Sequence, residues 1–193
     1  MYHNITAILS SSNASLSPPP SSSSDSSQTT STSTLLDYML QYWLPNRGSP
    51  DSFWEHEWNK HGTCINTLSP SCYSPSSSPS ISTQPYTPGD EVISFFTRAV
   101  TLFRTLDTYA ALAAAGILPS TTRTYRREEI SAALQKVTGR DVLVRCRGNR
   151  LNEVWYSFNV KGNLQEGEFV PSEPVGKMGR GGCPEGGVRY LPK

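Results

Sequence analysis

Two stretches of this chain hold almost nothing that a folded domain could bury. Residues 10–34, SSSNASLSPPPSSSSDSSQTTSTST, contain 17 Ser or Thr. The entropy of ordering such a segment finds no compensating apolar burial, so it reads as a flexible tract. Residues 69–89 repeat that composition around Cys72 and Tyr73 and read as a disordered insertion between two structured segments. In all, 23 of 28 serines and 10 of 15 prolines fall before position 90, so order should concentrate after it. The organisation expected is a Ser/Thr/Pro-rich segment over 1–34 and one folded domain over 35–193, a normal size for a single domain.

The 17 Lys and Arg against 16 Asp and Glu leave a formal charge of +1, so any anion site must be local. Apolar runs such as Tyr109–Leu118 fall far short of the ~20 residues of a membrane span. Met1 to Thr6 lack the basic and apolar regions of a secretory signal. Asn4-Ile5-Thr6 and Asn13-Ala14-Ser15 match the glycan acceptor triplet, a pattern that also arises often by chance.

Leu35, Leu36, Met39, Leu40 and Trp43 recur at helical spacing until Leu44-Pro45-Asn46-Arg47-Gly48 stops the pattern. Ser52 with Glu55 fits a capping box, predicting a second helix through Phe53–His61 that Gly62 ends. The clearest apolar stripe runs from Val92 through Phe96, Val100 and Phe103 to Tyr109. It predicts one helix from about Asp90 to Ala115, closed by Gly116. A further helix is predicted over about Arg126–Val137, then strands over Val142–Cys146 and Val154–Val160, with a turn at Lys161-Gly162-Asn163. Helices followed by strands imply an α+β fold.

An ideal helix turns by about 100° per residue; with His56 at zero, Lys60 falls at about 40°, Phe53 at about 60°, Glu57 at about 100° and His61 at about 140°. Trp54 falls at about 160° and Trp58 at about 200°, so an aromatic side can anchor while an ionisable arc faces a cleft. Two imidazoles, an ammonium and a carboxylate together can move protons near neutral pH and hold an anion, which suits phosphoryl transfer. A zinc site is set aside: its helical motif needs histidines four apart, whereas His56 and His61 are five apart and splayed, with Lys60 beside them. No metal or other cofactor is expected. The plain alternative is a solvated helix face cross-linked by Glu57 and Lys60.

The string Phe53-Trp54-Glu55-His56-Glu57-Trp58-Asn59-Lys60-His61-Gly62-Thr63-Cys64 closely resembles the second active-site segment of the T2 ribonuclease family. Tyr109–Leu112, Ala115-Gly116-Ile117 and Leu151-Asn152-Glu153-Val154-Trp155 resemble its fungal branch. The resemblance covers roughly 35–193, with Tyr2–Leu9 added. It implies an α+β protein with helices packed on a mainly antiparallel sheet, secreted or vacuolar and monomeric. The implied activity is metal-independent cleavage of single-stranded RNA through a 2′,3′-cyclic phosphate, with no DNA or membrane partner.

By that resemblance His61 is the acid/base histidine, Lys60 and Glu57 stabilise the phosphorane, and His56 positions the phosphate. Phe53 and the Pro45-Asn46-Arg47 loop would hold the base downstream of the scissile bond; the alternative reading of Phe53 is a helix anchor. An Ile-His-Gly-Leu-Trp-Pro type segment, which supplies the family's other acid/base histidine, is absent from residues 1–193, and His3 is no substitute. The chain therefore resembles an N-terminally truncated member. The competing expectation is a non-catalytic homologue that retains weak RNA or phosphate binding. Four cysteines allow three pairings, and sequence alone does not choose. The resemblance implies Cys146 with Cys183, leaving Cys64 and Cys72 without native partners.

Overall fold

The computed structural model describes residues 2–12, 14–16, 34–73, 86–175 and 182–192. The expected flexible tract, from position 17 to 33, and most of the expected insertion, 74–85, lie outside the described residues, as does Asn13. Two compact units form, one from residues 1–105 with 162–167, the other from residues 106–161 with 168–193.

The first unit is helical. Helix α1 (Ile5–Ser11) has no counterpart among the sequence-predicted elements and buries Ile5 and Leu9. It starts from Asn4, held at φ 63° with its side-chain oxygen accepting from Ala7 N at 3.0 Å. This first acceptor triplet thus uses its asparagine as a helix cap. Helix α2 (Leu35–Tyr42) opens with a capping box between Thr34 and Asp37 and buries Leu35 and Met39. Helix α3 (Pro50–Lys60) begins earlier than expected. Ser49 rather than Ser52 is the cap, with Pro50 in the first turn, where its missing N–H costs nothing. Glu55 does not close a capping box; its carboxylate instead accepts from the Asn4 backbone N–H at 2.7 Å, across 51 residues of chain.

The long helix expected over Asp90–Ala115 is two. Helix α4 (Asp90–Phe103) buries Val92, Phe96 and Val100, one residue per turn of a single face, and helix α5 (Thr108–Ala114) follows. Asp107 accepts from Ala110 N at 2.8 Å, so a cap within the apolar pattern restarts the helix. Gly116, at φ 74°, closes α5 as expected. Residues 162–167 dock on the first unit, where Thr67 accepts from Leu164 N at 3.1 Å and Arg98 donates to the Gly167 carbonyl.

Among its described residues the second unit carries α5, α6 (Arg127–Thr138) and four strands: β1 (Leu143–Arg147), β2 (Arg150–Trp155), β3 (Phe158–Lys161) and β4 (Glu168–Pro171). β1 pairs antiparallel with β2, and β3 with β4, giving two two-stranded sheets of an α+β fold. The single strand expected over Val154–Val160 is therefore broken at Tyr156–Ser157. Tyr156 turns away to bond Thr108 Oγ1 at 3.1 Å, and the chain changes ladders. Helix α6 packs on β1, and Ile130, Leu134, Val144 and Val188 are essentially inaccessible to solvent.

Cys146 on β1 is bonded to Cys183, with Cα atoms 4.7 Å apart, while Cys64 and Cys72 are free thiols. The bridge closes 37 residues of chain around the second unit's core. Removing it should release about 3–4 kcal/mol of denatured-state entropy. Cys146→Ser is expected to lower the urea midpoint accordingly, and an unchanged midpoint under non-reducing conditions would contradict the pairing.

Candidate active site

Helix α3 sorts its residues by face. Trp54 and Trp58, four apart, are buried at 0% and 4% exposure, and Trp54 Nε1 donates to the Trp43 carbonyl at 2.9 Å. Away from them Glu57 is half-buried, and His56, Lys60 and His61 are exposed. The helix is fastened from the chain's beginning as well. Asn59 Nδ2 donates to the Tyr2 carbonyl at 3.1 Å, and Thr6 donates to Asp51.

His61 is the residue at which α3 ends. Its amide still donates to the Glu57 carbonyl at 3.1 Å, but its backbone leaves the helix at φ −111°, ψ −49°. A 3₁₀ turn over Gly62–Cys64 comes next. Gly62 is buried against the Trp58 ring, where an added Cβ would lie 2.3 Å from Cε3. The glycine is demanded by this close approach to an indole rather than by a left-handed φ. At this cap the His56 and His61 rings meet edge to face with centroids 5.9 Å apart.

One ligand atom each from His56, Glu57 and His61 lies within 4.8 Å of the others. The splay inferred from ideal helix angles is therefore corrected. Glu57 sits one turn below His61, and the departure of the cap from helical geometry brings both imidazoles to its carboxylate. Such a trio can share protons, place an anion against Lys60, or approach a cation with two nitrogens and one oxygen.

Phe53, half-buried, lies one turn before the cluster at i,i+3 and i,i+4 to His56 and Glu57. Pro45, Asn46 and Arg47 precede the opposite end of α3, and the helix rise of about 1.5 Å per residue separates that loop from His61. The structure thus gathers His56, Glu57 and His61, with Lys60 in the same last turn of α3, Phe53 one turn earlier, and the Pro45–Arg47 loop before the helix's other end. His3 is exposed.

Sequence reasoning missed Asn59 and Glu55, which hold α3 to the first residues of the chain. Both are polar residues inside a helix, and nothing local marks them as long-range partners.

A cavity of about 580 Å³ lies behind this face, lined by Tyr2, Trp58, Gly62, Ile65, Asn66 and Glu91 among others, and the ionisable arc is not part of it. Glu91, 4% exposed, accepts there from the Tyr2 and Tyr86 hydroxyls at 2.7 and 3.1 Å and from Gly89 N at 3.1 Å. Burial pushes both phenols above the ordinary tyrosine range, and Glu91 adds to the shift. In the arc itself His56, Lys60 and His61 are exposed and Glu57 is half-buried.

The sequence profile of the Ribonuclease T2 family matches residues 4–167, and the chain belongs to that family. It is 52% identical over 159 residues to a ribonuclease T2-like protein of Emericella nidulans, covering 82% of this chain and 35% of that one. Against ribonuclease T2 of Aspergillus oryzae it is 41% identical over 193 residues, all of this chain and 59% of the relative. The chain thus spans between a third and three fifths of these curated relatives. Among solved structures, the T2 ribonuclease Actibind superposes with a TM-score of 0.78 at 40% identity, over 100% of this chain and 69% of that one. Human RNase T2 shares the fold, with a TM-score of 0.51 at 24% identity over 82% of this chain and 71% of that one.

Because Trp58 and Gly62 set the end of α3, Gly62→Ala should cost about 1–3 kcal/mol through overpacking. It should also part the two imidazoles. Chemical-shift perturbation of the His56 and His61 ring protons reads the second effect. A variant of unchanged stability and unchanged histidine shifts would show that this contact does not position the cluster.

Proposed function

We propose that the chain supplies the phosphate-handling part of an endoribonuclease that cleaves single-stranded RNA by transphosphorylation, leaving 2′,3′-cyclic phosphate ends. The observation that carries the reading is the cluster at the end of α3, where one ligand atom each of His56, Glu57 and His61 lies within 4.8 Å of the others and Lys60 occupies the same last turn. In this reading His61 exchanges a proton with the 2′-hydroxyl or the leaving 5′-oxygen, and His56 orients the phosphate. Lys60 and Glu57 stabilise the phosphorane, where a cation facing developing negative charge contributes several kcal/mol. Phe53 offers a ring on which a base can stack. The Pro45-Asn46-Arg47 loop, at the other end of α3, would act only on a more distant part of the strand.

The 2′-oxygen attacks phosphorus as its proton leaves to a base, and the 5′-oxygen departs as it gains a proton from an acid. Each proton transfer is worth about 10²–10⁴-fold. His61 can serve one of them, and residues 1–193 contain no second histidine in the family's first-segment setting. Turnover by these residues alone is therefore slow. A second reading, RNA or phosphate binding without turnover, is favoured by the open arc: His56, Lys60 and His61 are all exposed. A secreted or vacuolar setting and a monomeric state complete the proposal; no helix among the described residues is long and apolar enough to cross a membrane.

The test is release of 2′,3′-cyclic phosphates from single-stranded RNA in EDTA. The 193-residue chain should release little, and joining a segment that carries the family's first-segment histidine motif should raise kcat. In that active form His61→Ala should lower kcat by at least about 10². Lys60→Ala should lower kcat more than it raises KM, because its charge is needed most as the phosphorane forms. Product formation indifferent to His61→Ala would overturn the assignment.

A further inference from the structure

The two units carry opposite charge. Residues 106–161 and 168–193 hold 13 Lys and Arg against 8 Asp and Glu, whereas the remainder, which includes α3, holds 4 against 8. A net +5 in one unit and a net −4 in the other are concealed in the overall charge of +1. Four of those 13 cations, Arg145, Arg147, Arg150 and Arg189, lie at the β1–β2 hairpin. On β1, Val144 and Cys146 point into the core, so Leu143, Arg145 and Arg147 point outward. The register sets Arg145 opposite Glu153, Leu143 opposite Trp155, and Arg147 opposite Arg150. Arg189 bridges beside Arg150, its amide donating to the Asn149 carbonyl at 2.8 Å.

Two features of this face are not explained by stability. Arg147 and Arg150 are like charges directly opposed across an antiparallel pair, an arrangement that destabilises a sheet. Both are exposed, and neither has an ion-pair partner among the described residues. At the other end of this ladder, opposite Leu143, Trp155 is 48% exposed and held in a fixed pose. The Arg145 guanidinium lies 4.7 Å over its ring, and Glu153 accepts from its Nε1 at 2.8 Å. Glu153 also accepts from Asn152 Nδ2 at 3.0 Å, so the whole support is bonded. An oriented indole at one end of a hairpin face whose other end holds two uncompensated guanidiniums, about 13 Å along the strand, matches the chemistry of a single-stranded nucleic acid, which presents bases to stack and phosphates to neutralise.

We propose that the outer face of the β1–β2 hairpin is a second RNA-binding surface, with Trp155 stacking on a base and Arg147, Arg150 and Arg189 taking the phosphates of the same strand. The choice of RNA as the ligand rests on the ribonuclease reading above; the surface itself does not. Strand residues two apart are about 6.6 Å apart, a spacing that an extended strand's phosphates can follow. A second hold on RNA, made by residues other than those of α3, would favour long substrates over short ones.

The test is fluorescence anisotropy of the 193-residue chain with a labelled 2′-O-methyl oligouridylate of about 16 nucleotides, which cannot be cut through its 2′-oxygen. Arg147→Glu with Arg150→Glu should weaken binding at least tenfold. It should also reduce the slope of log affinity against log salt by about 1.4 between about 50 and 200 mM. Trp155→Ala should weaken binding about fivefold or more, whereas Arg147→Lys with Arg150→Lys should retain most of the affinity. Circular dichroism checks that each variant is folded, and should the charge reversal unfold the chain, Arg147→Ala with Arg150→Ala takes its place. Unchanged affinity and slope in the folded double variant would overturn the proposal. So would unchanged RNA affinity with lost binding to phosphatidylcholine vesicles containing phosphatidylserine, which would assign the face to a membrane. Hairpin variants that lose RNA while no form of the chain cleaves it would leave this surface standing and remove the ribonuclease reading. Cleavage that depends on His61, with hairpin variants binding normally, would do the reverse.

Discussion

The contact of Gly62 with the Trp58 ring is the constraint on which the site depends. An α-helix ending at Lys60 must either continue or turn, and the indole packed under the next turn leaves room for no side chain at position 62. The chain therefore folds tightly over Trp58 into a 3₁₀ turn, and His61, at the corner, is set beside His56 and Glu57. The cluster is thus a property of a helix terminus. Its geometry comes from a buried aromatic residue that is not itself a member of it.

That terminus is steadied by contacts distant in sequence. Glu55 and Asn59, one turn apart on α3, bind the backbone at Asn4 and Tyr2, while Tyr2 reaches the buried Glu91 on α4. A carboxylate at 4% exposure is tolerable because two phenols and a backbone N–H satisfy it. These bonds draw α1, α3 and α4 around one point. They explain how a segment with few apolar residues can still be ordered once Ile5 and Leu9 enter the core.

The segregation of charge bears on how such a chain meets a polyanion. The unit bearing α3 is net acidic, so attraction toward any polyanion must come from a few local cations there or from the basic unit. On the β1–β2 face arginines are opposed without acidic partners, which sacrifices some sheet stability while keeping positive charge available.

The sequence by itself determined the α+β class, the helix carrying the Phe53–His61 run, the burial of Trp58 on the side away from the ionisable residues, and the closing role of Gly116. These depend on local periodicity and caps, which the chain displays openly. Tertiary structure alone decided what depends on distant partners. It divided the stripe between α4 and α5 at Asp107, took Tyr156 out of the strand to bond Thr108, and used Glu55 to hold Asn4 rather than to cap its own helix. Ideal helix angles splayed His56 and His61, because the angle assumes a helix that continues. The structure brings them together because the Trp58–Gly62 packing ends it there, and no local pattern states which ring will lie beneath a given glycine.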